Sequence, residues 1–472
     1  MKQTFITGFI LCFFLAVLSF NTSAQEYKYD LNKYYTPDIV RNQLDLNFNS
    51  VGGFSNQLYR RDSLPNNTQN LNNLNGVLGS SYQTYKNTRK NVSTFNIDLN
   101  LRGQFNNSDY KPSNDSFLAT QSTTNLNIGY NVWLYNPKKQ FLSFTIHGNI
   151  SEDGNMNHTT HLSVKTKAGN QNFDGFLRAS IGVGFGRIES VEDARQAIYI
   201  LDELSKKKVL TRQLSDDEIF QFAQQISRVK NKRFLDSRLH LIDEITSVDS
   251  FFVSNHLLTN SDASYFTTLY DYWQYGALNS RKSGHEFAMS LSPAVSLSSD
   301  NRLSIDSLIW AHGYNNNISG EFSITYNYEK PVSLNWQHSG SVSLRCNTTR
   351  YEQSILPDIN NTLDIRKYTY YNAYLSGSYY ISYYPNTRTN YSVGLAQFIS
   401  LMLQDDMISA TTSPENRSQS RTSFNLNASY YFSPQFRLSG NARIGNYIQN
   451  SDNYTYSGLD GGISASFIYS FF

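Results

Sequence analysis

Charge is scarce in this chain. Only 17% of its 472 residues are Asp, Glu, Lys or Arg, against roughly 25% in a typical soluble domain. Cysteine is scarcer: there are two, and Cys12 lies inside an apolar N-terminal stretch expected to be removed on export. That leaves Cys346 alone, which excludes an intramolecular disulfide, and the place of Cys12 disfavours a lipoprotein anchor. Beyond the N-terminal stretch no run approaches the ~20 apolar residues of a membrane-spanning helix. A formal net charge of +2 lacks the basic stripe that a nucleic-acid partner requires. No His, Cys and Asp combination has metal-ligand spacing, and no nucleophile–base constellation can be named. Neither a metal, a cofactor nor an enzymatic activity is therefore expected.

What is present is aromatic. Tyr (34) and Phe (30) bring the aromatic share to 14%, although the mean hydropathy of −0.48 looks soluble. Many aromatics with few charges suit strands that hide one greasy face at every second position. The N-terminus carries an export signal: Lys2, an apolar core from Ile6 to Phe20, and Thr22-Ser23-Ala24 ahead of Gln25, which predicts cleavage after Ala24. The last residues alternate apolar and small side chains from Gly462 to Phe471 and stop at Phe472. That pattern is expected of a closing outer-membrane strand that the barrel-assembly machinery recognises, with lipid on one face and a wet lumen on the other.

The same period recurs along the chain. Phe95, Ile97, Leu99, Leu101 and Phe105 alternate with Asn96, Asp98, Asn100, Arg102 and Gln104. Phe424, Leu426, Ala428 and Tyr430 alternate with Ser423, Asn425, Asn427 and Ser429. A half-buried soluble strand gives the same local signal; the length, near the 9–11 residues of a transmembrane strand, points to membrane. Connections alternate in length. Tight turns are read at Lys86-Asn87-Thr88-Arg89, Asn136-Pro137-Lys138-Lys139, Glu329-Lys330-Pro331, Pro385-Asn386-Thr387-Arg388 and Ser433-Pro434-Gln435. Long polar loops are read near 51–75, 106–120, 153–172, 299–316, 347–365, 404–419 and 448–455, with His158 to Lys167 taken as loop. Short periplasmic turns and long outer loops predict an all-β transmembrane barrel of about fourteen antiparallel strands, within a range of 12–16.

One segment breaks the alternation. Residues 188–282 change to a helical period and divide the barrel strands into 25–187 and 283–472. Ser190 is read as the cap of a first helix bearing Ala194, Ile198, Leu201 and Leu204. Ser215-Asp216-Asp217-Glu218 forms a capping box before Ile219, Phe222, Ala223 and Ile226. A third helix carries Phe234, Leu235, Leu239 and Ile242, and Asp262 caps a last one with Phe266, Leu269 and Trp273. Strand parity puts this insert on the periplasmic side. The stretch from Gly184-Phe185-Gly186-Arg187-Ile188-Glu189 through Ala197, together with Leu214-Ser215 to Lys230-Asn231-Lys232-Arg233-Phe234, resembles a family of uncharacterised Gram-negative outer-membrane barrel proteins with a helical insert between barrel strands. The resemblance implies that fold and location, and brings no catalytic or binding residues.

Candidate chemistry lies in the lumen. The phase opposite the apolar positions holds Asp45, Asp98, Arg102, Arg178, Glu286, Glu321, Arg345, Arg437 and Arg443. An Arg turned to mid-bilayer lipid would cost roughly 2–4 kcal/mol, so the inward phase is the physical one. These charges either line a solute path or pair across the lumen and fill it. His147 shares that phase with Ser143 and Thr145, while His338 falls in the apolar phase beside Trp336, as a bulge or as a residue of an aromatic belt. Gly182-Val183-Gly184-Phe185-Gly186 lacks nucleotide-loop spacing and reads as close strand packing. Only a short stretch separates Gln25 from the first strand, which disfavours a plugged TonB-dependent transporter. The expected function is passage of small solutes across the cell outer membrane. The alternative is a structural or assembly protein whose insert holds a periplasmic partner.

Overall fold

Period-two alternation resolves into fourteen strands. In the computed structural model, residues 29–61, 64–111, 115–161, 164–232, 237–276, 280–304, 309–356, 364–404, 416–433, 435–452 and 454–469 are described. The predicted leader, Cys12, Pro434 and the terminal Phe472 lie outside them, as do Phe234 and Leu235. The strands are β1 (Ile39–Arg61), β2 (Leu64–Asn87), β3 (Asn91–Lys111), β4 (Asp115–Tyr135), β5 (Gln140–His161), β6 (Val164–Ser190), β7 (Lys282–Ser304), β8 (Ile309–Pro331), β9 (Trp336–Leu356), β10 (Asp364–Tyr383), β11 (Thr389–Gln404), β12 (Arg417–Tyr431), β13 (Phe436–Ser451) and β14 (Thr455–Tyr469). Each pairs antiparallel with its chain neighbour in a single sheet. The fold is an all-β transmembrane barrel meander with a helical insert. Among the described residues β1 pairs only with β2 and β14 only with β13. These two edge strands are antiparallel to each other because the strand number is even.

The apolar face explains the membrane-facing side. Leu99, Leu101 and Phe105 on β3, Ile128, Tyr130 and Leu134 on β4, and Leu177, Ile181 and Val183 on β6 are all more than a third exposed. A continuous exposed apolar face is unusual for a surface meeting water and normal for one meeting lipid. Near the turn end this face carries aromatics: Trp336 meets Tyr383 at a tilt with ring centroids 4.6 Å apart, and Phe432 stacks on Phe436 at 4.9 Å. His338 sits in that belt and hydrogen-bonds the Tyr379 hydroxyl.

The strands are longer than the sequence pattern indicates. They run from 15 residues in β12 and β14 to 27 in β6. Much of the predicted long loops is strand: β1 and β2 continue to Arg61 and from Leu64, and β5 and β6 pair as far as His161 and Val164; most of 404–419 lies outside the described residues. His158 to Lys167 therefore belongs largely to the ends of two existing strands and adds no crossing. On β3 the outward positions turn from Phe105 to Asn107, Asp109 and Lys111. Past that point both faces meet water, so the alternation fades while the backbone ladder continues. At the other end, β8 runs through Pro331, and the turn is Val332 to Asn335 rather than Glu329-Lys330-Pro331.

The buried hydrophobic cluster of the described residues lies in the insert. Four helices follow β6: α1 (Glu192–Lys206), α2 (Asp216–Lys230), α3 (Ser237–Ser254) and α4 (Ala263–Tyr275). Ala194, Ile198, Leu201 and Leu204 of α1 and Ile219, Phe222, Ala223 and Ile226 of α2 are all buried. Phe222 meets Phe252 edge-on at 5.0 Å. Ser215 and Glu218 form the reciprocal capping box, and Asp262 accepts from the Tyr265 amide at 3.0 Å. Two expectations fail. Ser190 is the last residue of β6, and the cap of α1 is Val191; Ser190 instead donates to the Glu192 carboxylate at 2.9 Å. Ile242 is 58% exposed, because α3 turns Glu244, Val248 and Phe252 inward.

Candidate functional site: the lumen face and its capped mouth

Residues directly paired across antiparallel strands point to the same side of a sheet, so the register shows which of these residues share a face. Asp45 pairs with Ser81, and Ser81 with Asp98. Asp98 and Arg102 pair with Asn127 and Thr123. Arg178 pairs with Ala294, two residues from Ser292, which pairs with Glu321; Gly186 pairs with Glu286. Arg345 pairs with Ser323 and Tyr374. Arg443 pairs with Asn425, and Arg437 with Tyr431. Followed strand by strand, all eight predicted lining residues share one face: Asp98, Arg102, Arg178, Glu286, Glu321, Arg345, Arg437 and Arg443. Asp45 joins them.

That face is polar and amide-rich. Asn149 donates to Asn127 at 2.6 Å across the strand boundary, and Asn441 to Asn427 at 2.6 Å. Asp98 accepts from Ser81 and, at 3.1 Å, from Asn96. Arg102 donates to Asn75 at 3.3 Å, and Arg437 to the Tyr431 hydroxyl at 3.2 Å. Arg178 lies 5.5 Å from the Phe176 ring. Among the described residues none of the eight forms an ion pair with a carboxylate or a cation. On this face a pair does form between Arg421 of β12 and Asp460 of β14, at 2.7 Å over the intervening β13. His147 packs against Phe176 at 5.9 Å. Among the described residues no three His, Cys, Asp or Glu side chains gather as a metal site.

The turn end of this face is covered by the insert. Gln196 of α1 donates to the Trp273 carbonyl at 2.8 Å, and Trp273 donates to Glu244 at 2.8 Å, which unites α1, α4 and α3. The segment before β1 completes the insert core: Tyr29, Leu31 and Tyr34 are buried in it, and Tyr34 donates to the Ala223 carbonyl at 3.4 Å. Burial pushes the Tyr34 phenol well above its ordinary range, and that of Tyr29 up to about 12. On the opposite side Arg281, 1% exposed, donates to the carbonyls of Ser333 at 2.9 Å, Trp336 at 2.7 Å and Leu334 in the β8–β9 turn. Burial lowers its guanidinium to about 10. Arg388 of the β10–β11 turn meets Asp271 of α4 at 3.2 Å and stacks 3.7 Å from the Tyr275 ring. The insert leaves the sheet between β6 and β7 and reaches the N-terminal segment and the turns after β8 and β10. It lies across the barrel mouth.

Glycine sets the geometry beneath it. Gly186 adopts φ +93°, so Arg187, which plain alternation would turn outward, reaches in to the Thr88 carbonyl at 2.9 Å and to Asn87. Arg187 and Arg89 both hold Glu189, at 3.0 and 2.9 Å, and Thr36 donates to the same carboxylate at 3.3 Å. A Cβ on Gly184 would lie 2.2 Å from the Phe287 carbonyl oxygen, which accounts for the glycine run by close strand packing. A cavity of about 430 Å³ remains between insert and lumen, lined by Tyr85, Trp133, Arg187, Glu192, Asp193 and Glu286 among others. Burial raises the Glu192 carboxyl above its ordinary value. Sequence reasoning missed Arg187, Arg281 and the Tyr29–Tyr34 segment. The only signal for any of them was the paired glycines ahead of Arg187.

No protein-family model matches the chain, and no curated protein matches it. Among solved structures it is similar to the transport unit of the autotransporter AIDA-I from Escherichia coli, at 10% identity over 94% of this chain and 93% of that one, with a TM-score of 0.24. It is also similar to the alcaligin outer membrane receptor FauA from Bordetella pertussis, at 8% identity over 90% of this chain and 75% of that one, with a TM-score of 0.26. Scores this low leave the reading of the lumen to its own residues.

Proposed function

We propose that this chain is an outer-membrane barrel protein that passes small solutes through its lumen, with the helical insert as a cap over the periplasmic mouth. One observation carries the reading: the eight inward charges share a face and, among the described residues, none is neutralised by an ion pair. A lumen built only as filling would close its charges on one another, because an unpaired charge away from water is costly. Unpaired charges are tolerated where water reaches them, and water that reaches them also carries solutes.

The test is conductance of the refolded full chain in planar bilayers, alone and with Arg388→Ala, which removes one tie between cap and turn. Unitary steps in the parent chain, with higher open probability in the variant, are expected. Silence from both, in protein shown to be folded, overturns the reading. A second reading is favoured by Ile242 and Val253, 58% and 55% exposed. Eleven residues apart, they fall on one stripe of α3, where a periplasmic protein partner could dock. Under that reading Ile242→Asp with Val253→Asp abolishes capture of the partner and leaves conductance unchanged.

A further inference from the structure

The lumen charges are not evenly spread. Along β1 to β8 the face carries acids beside its basic groups: Asp45, Asp98, Glu286 and Glu321 against Arg102 and Arg178. From β9 to β14 the basic groups of this face include Arg345, Arg421, Arg437 and Arg443, with Asp460 set among them. These guanidiniums outnumber the carboxylate set among them, so this wall is basic. Arg421 uses Asp460, and Arg437 meets the Tyr431 hydroxyl and ring. Among the described residues Arg443 and Arg345 have no hydrogen-bond or ionic partner. The Nε atoms of Arg421, Arg437 and Arg443 are all buried without an acceptor.

Between two of these arginines lies a depression. A cavity of about 290 Å³ opens on the lumen face over β11 to β14, lined by Asn390, Ser392, Asn427, Ser439, Asn441 and Ser464 among others. Ser439 and Asn441 are the lumen positions of β13 between Arg437 and Arg443. At roughly 3.3 Å per residue the two arginines flank the depression about 20 Å apart. Its floor is hydroxyl and amide, groups that donate and accept with equal ease. Its ends are guanidiniums, whose planar fork matches carboxylate and phosphate oxygens.

We propose that this wall is a binding track for small hydroxylated organic anions. The carboxylate or phosphate of such a solute exchanges between Arg437 and Arg443, and its hydroxyls exchange water for the Asn and Ser side chains of the floor. The inference rests on the solute-passage reading and names the class of solute that the path favours. Both source chemistries share the oxyanion; gluconate and glycerol phosphate separate them.

The experiment is swelling and uptake by liposomes holding the full chain, with gluconate and size-matched neutral sorbitol as probes. We expect gluconate to enter faster than sorbitol, by about tenfold at low salt, and high salt to erode the difference. Arg437→Gln with Arg443→Gln should bring gluconate down to the sorbitol rate measured in the same variant. Arg437→Lys with Arg443→Lys keeps the charge and should keep a preference, which guards against misfolding as the cause. A carboxylate track favours gluconate over glycerol phosphate, a phosphate track the reverse, and either order supports the proposal. Equal entry of gluconate and sorbitol in the parent chain, or a preference that survives the Gln pair, overturns the track and leaves the passage reading standing. Entry of neither probe overturns both.

Discussion

Arg388, on the turn between β10 and β11, meets Asp271 of the last insert helix at 3.2 Å, with its guanidinium 3.7 Å from the Tyr275 ring. The contact joins groups 117 residues apart and fastens a self-packed helical unit to the rim of a barrel. Arg281 fastens the neighbouring turn from a buried position. The cap is thus held by a few specific polar ties, set beside the hydrophobic cluster that Tyr29, Leu31 and Tyr34 share with the insert.

Removing the stronger tie should loosen the cap without unfolding the barrel. Arg281→Ala takes the guanidinium from the Ser333 and Leu334 carbonyls, while the Trp336 carbonyl keeps the Val332 amide, at a cost of about 1–3 kcal/mol for an unsatisfied buried group. The insert is expected to become sensitive to limited proteolysis while the barrel keeps its folded mobility on unheated gels. Equal protease resistance in parent and variant would show that the hydrophobic cluster alone holds the cap.

Acid should act on the insert through Glu218. Its side-chain hydrogen bond to Arg212, then that from the Ser215 amide, hold its carboxyl down to about 2. A depressed carboxyl contributes stability that is complete above the ordinary value of 4.5 and is lost as pH falls toward 2. The insert's protease resistance should therefore decline over that window, and Glu218→Gln should flatten the decline. Ser215→Ala is expected to cost about 1 kcal/mol at neutral pH by removing the cap.

The two faces of a strand should respond oppositely to charge. Leu426→Arg puts a guanidinium toward lipid, at a cost of roughly 2–4 kcal/mol near mid-bilayer, whereas Asn427→Arg puts it toward the lumen at little cost. Urea unfolding in lipid vesicles measures both. Similar losses at the two positions would reject the face assignment.

If the sheet closes on itself, β1 meets β14. In a Cys346→Ser background, Asn47→Cys combined in turn with Asp460→Cys, Gly462→Cys or Ser464→Cys places thiols on the lumen face of both edges. One of the three pairs is expected to cross-link intramolecularly on oxidation, and which one does so reads the register. Cross-linking only between chains would mean that the edges meet a second copy.

Much of this molecule was legible without a structure, and the reasons are local. Period-two alternation from Phe95 to Phe105 is imposed by lipid on one face and water on the other. The helical period of Ala194, Ile198 and Leu201 is imposed by a core on one side. The phase that sends Arg102, Arg345, Arg437 and Arg443 inward follows from the cost of a charge in lipid. Each constraint repeats at short range, so each is written in neighbouring residues.

What only the tertiary structure decided depends on contacts distant in sequence. The strands extend past the apolar band because pairing continues to satisfy backbone groups where both faces are wet, and no alternation marks that stretch. Arg187 turns inward because Gly186 takes a left-handed backbone opposite Glu286. Tyr34 is buried because α2 arrives beneath it from almost 190 residues away. Sequence determined the barrel, its strand phase and its helical interruption, since solvent on each face dictates them residue by residue. Only the fold decided that the interruption lies across the mouth, because that position is set by Arg281, Arg388 and the Tyr29–Tyr34 segment meeting partners that chain order keeps apart.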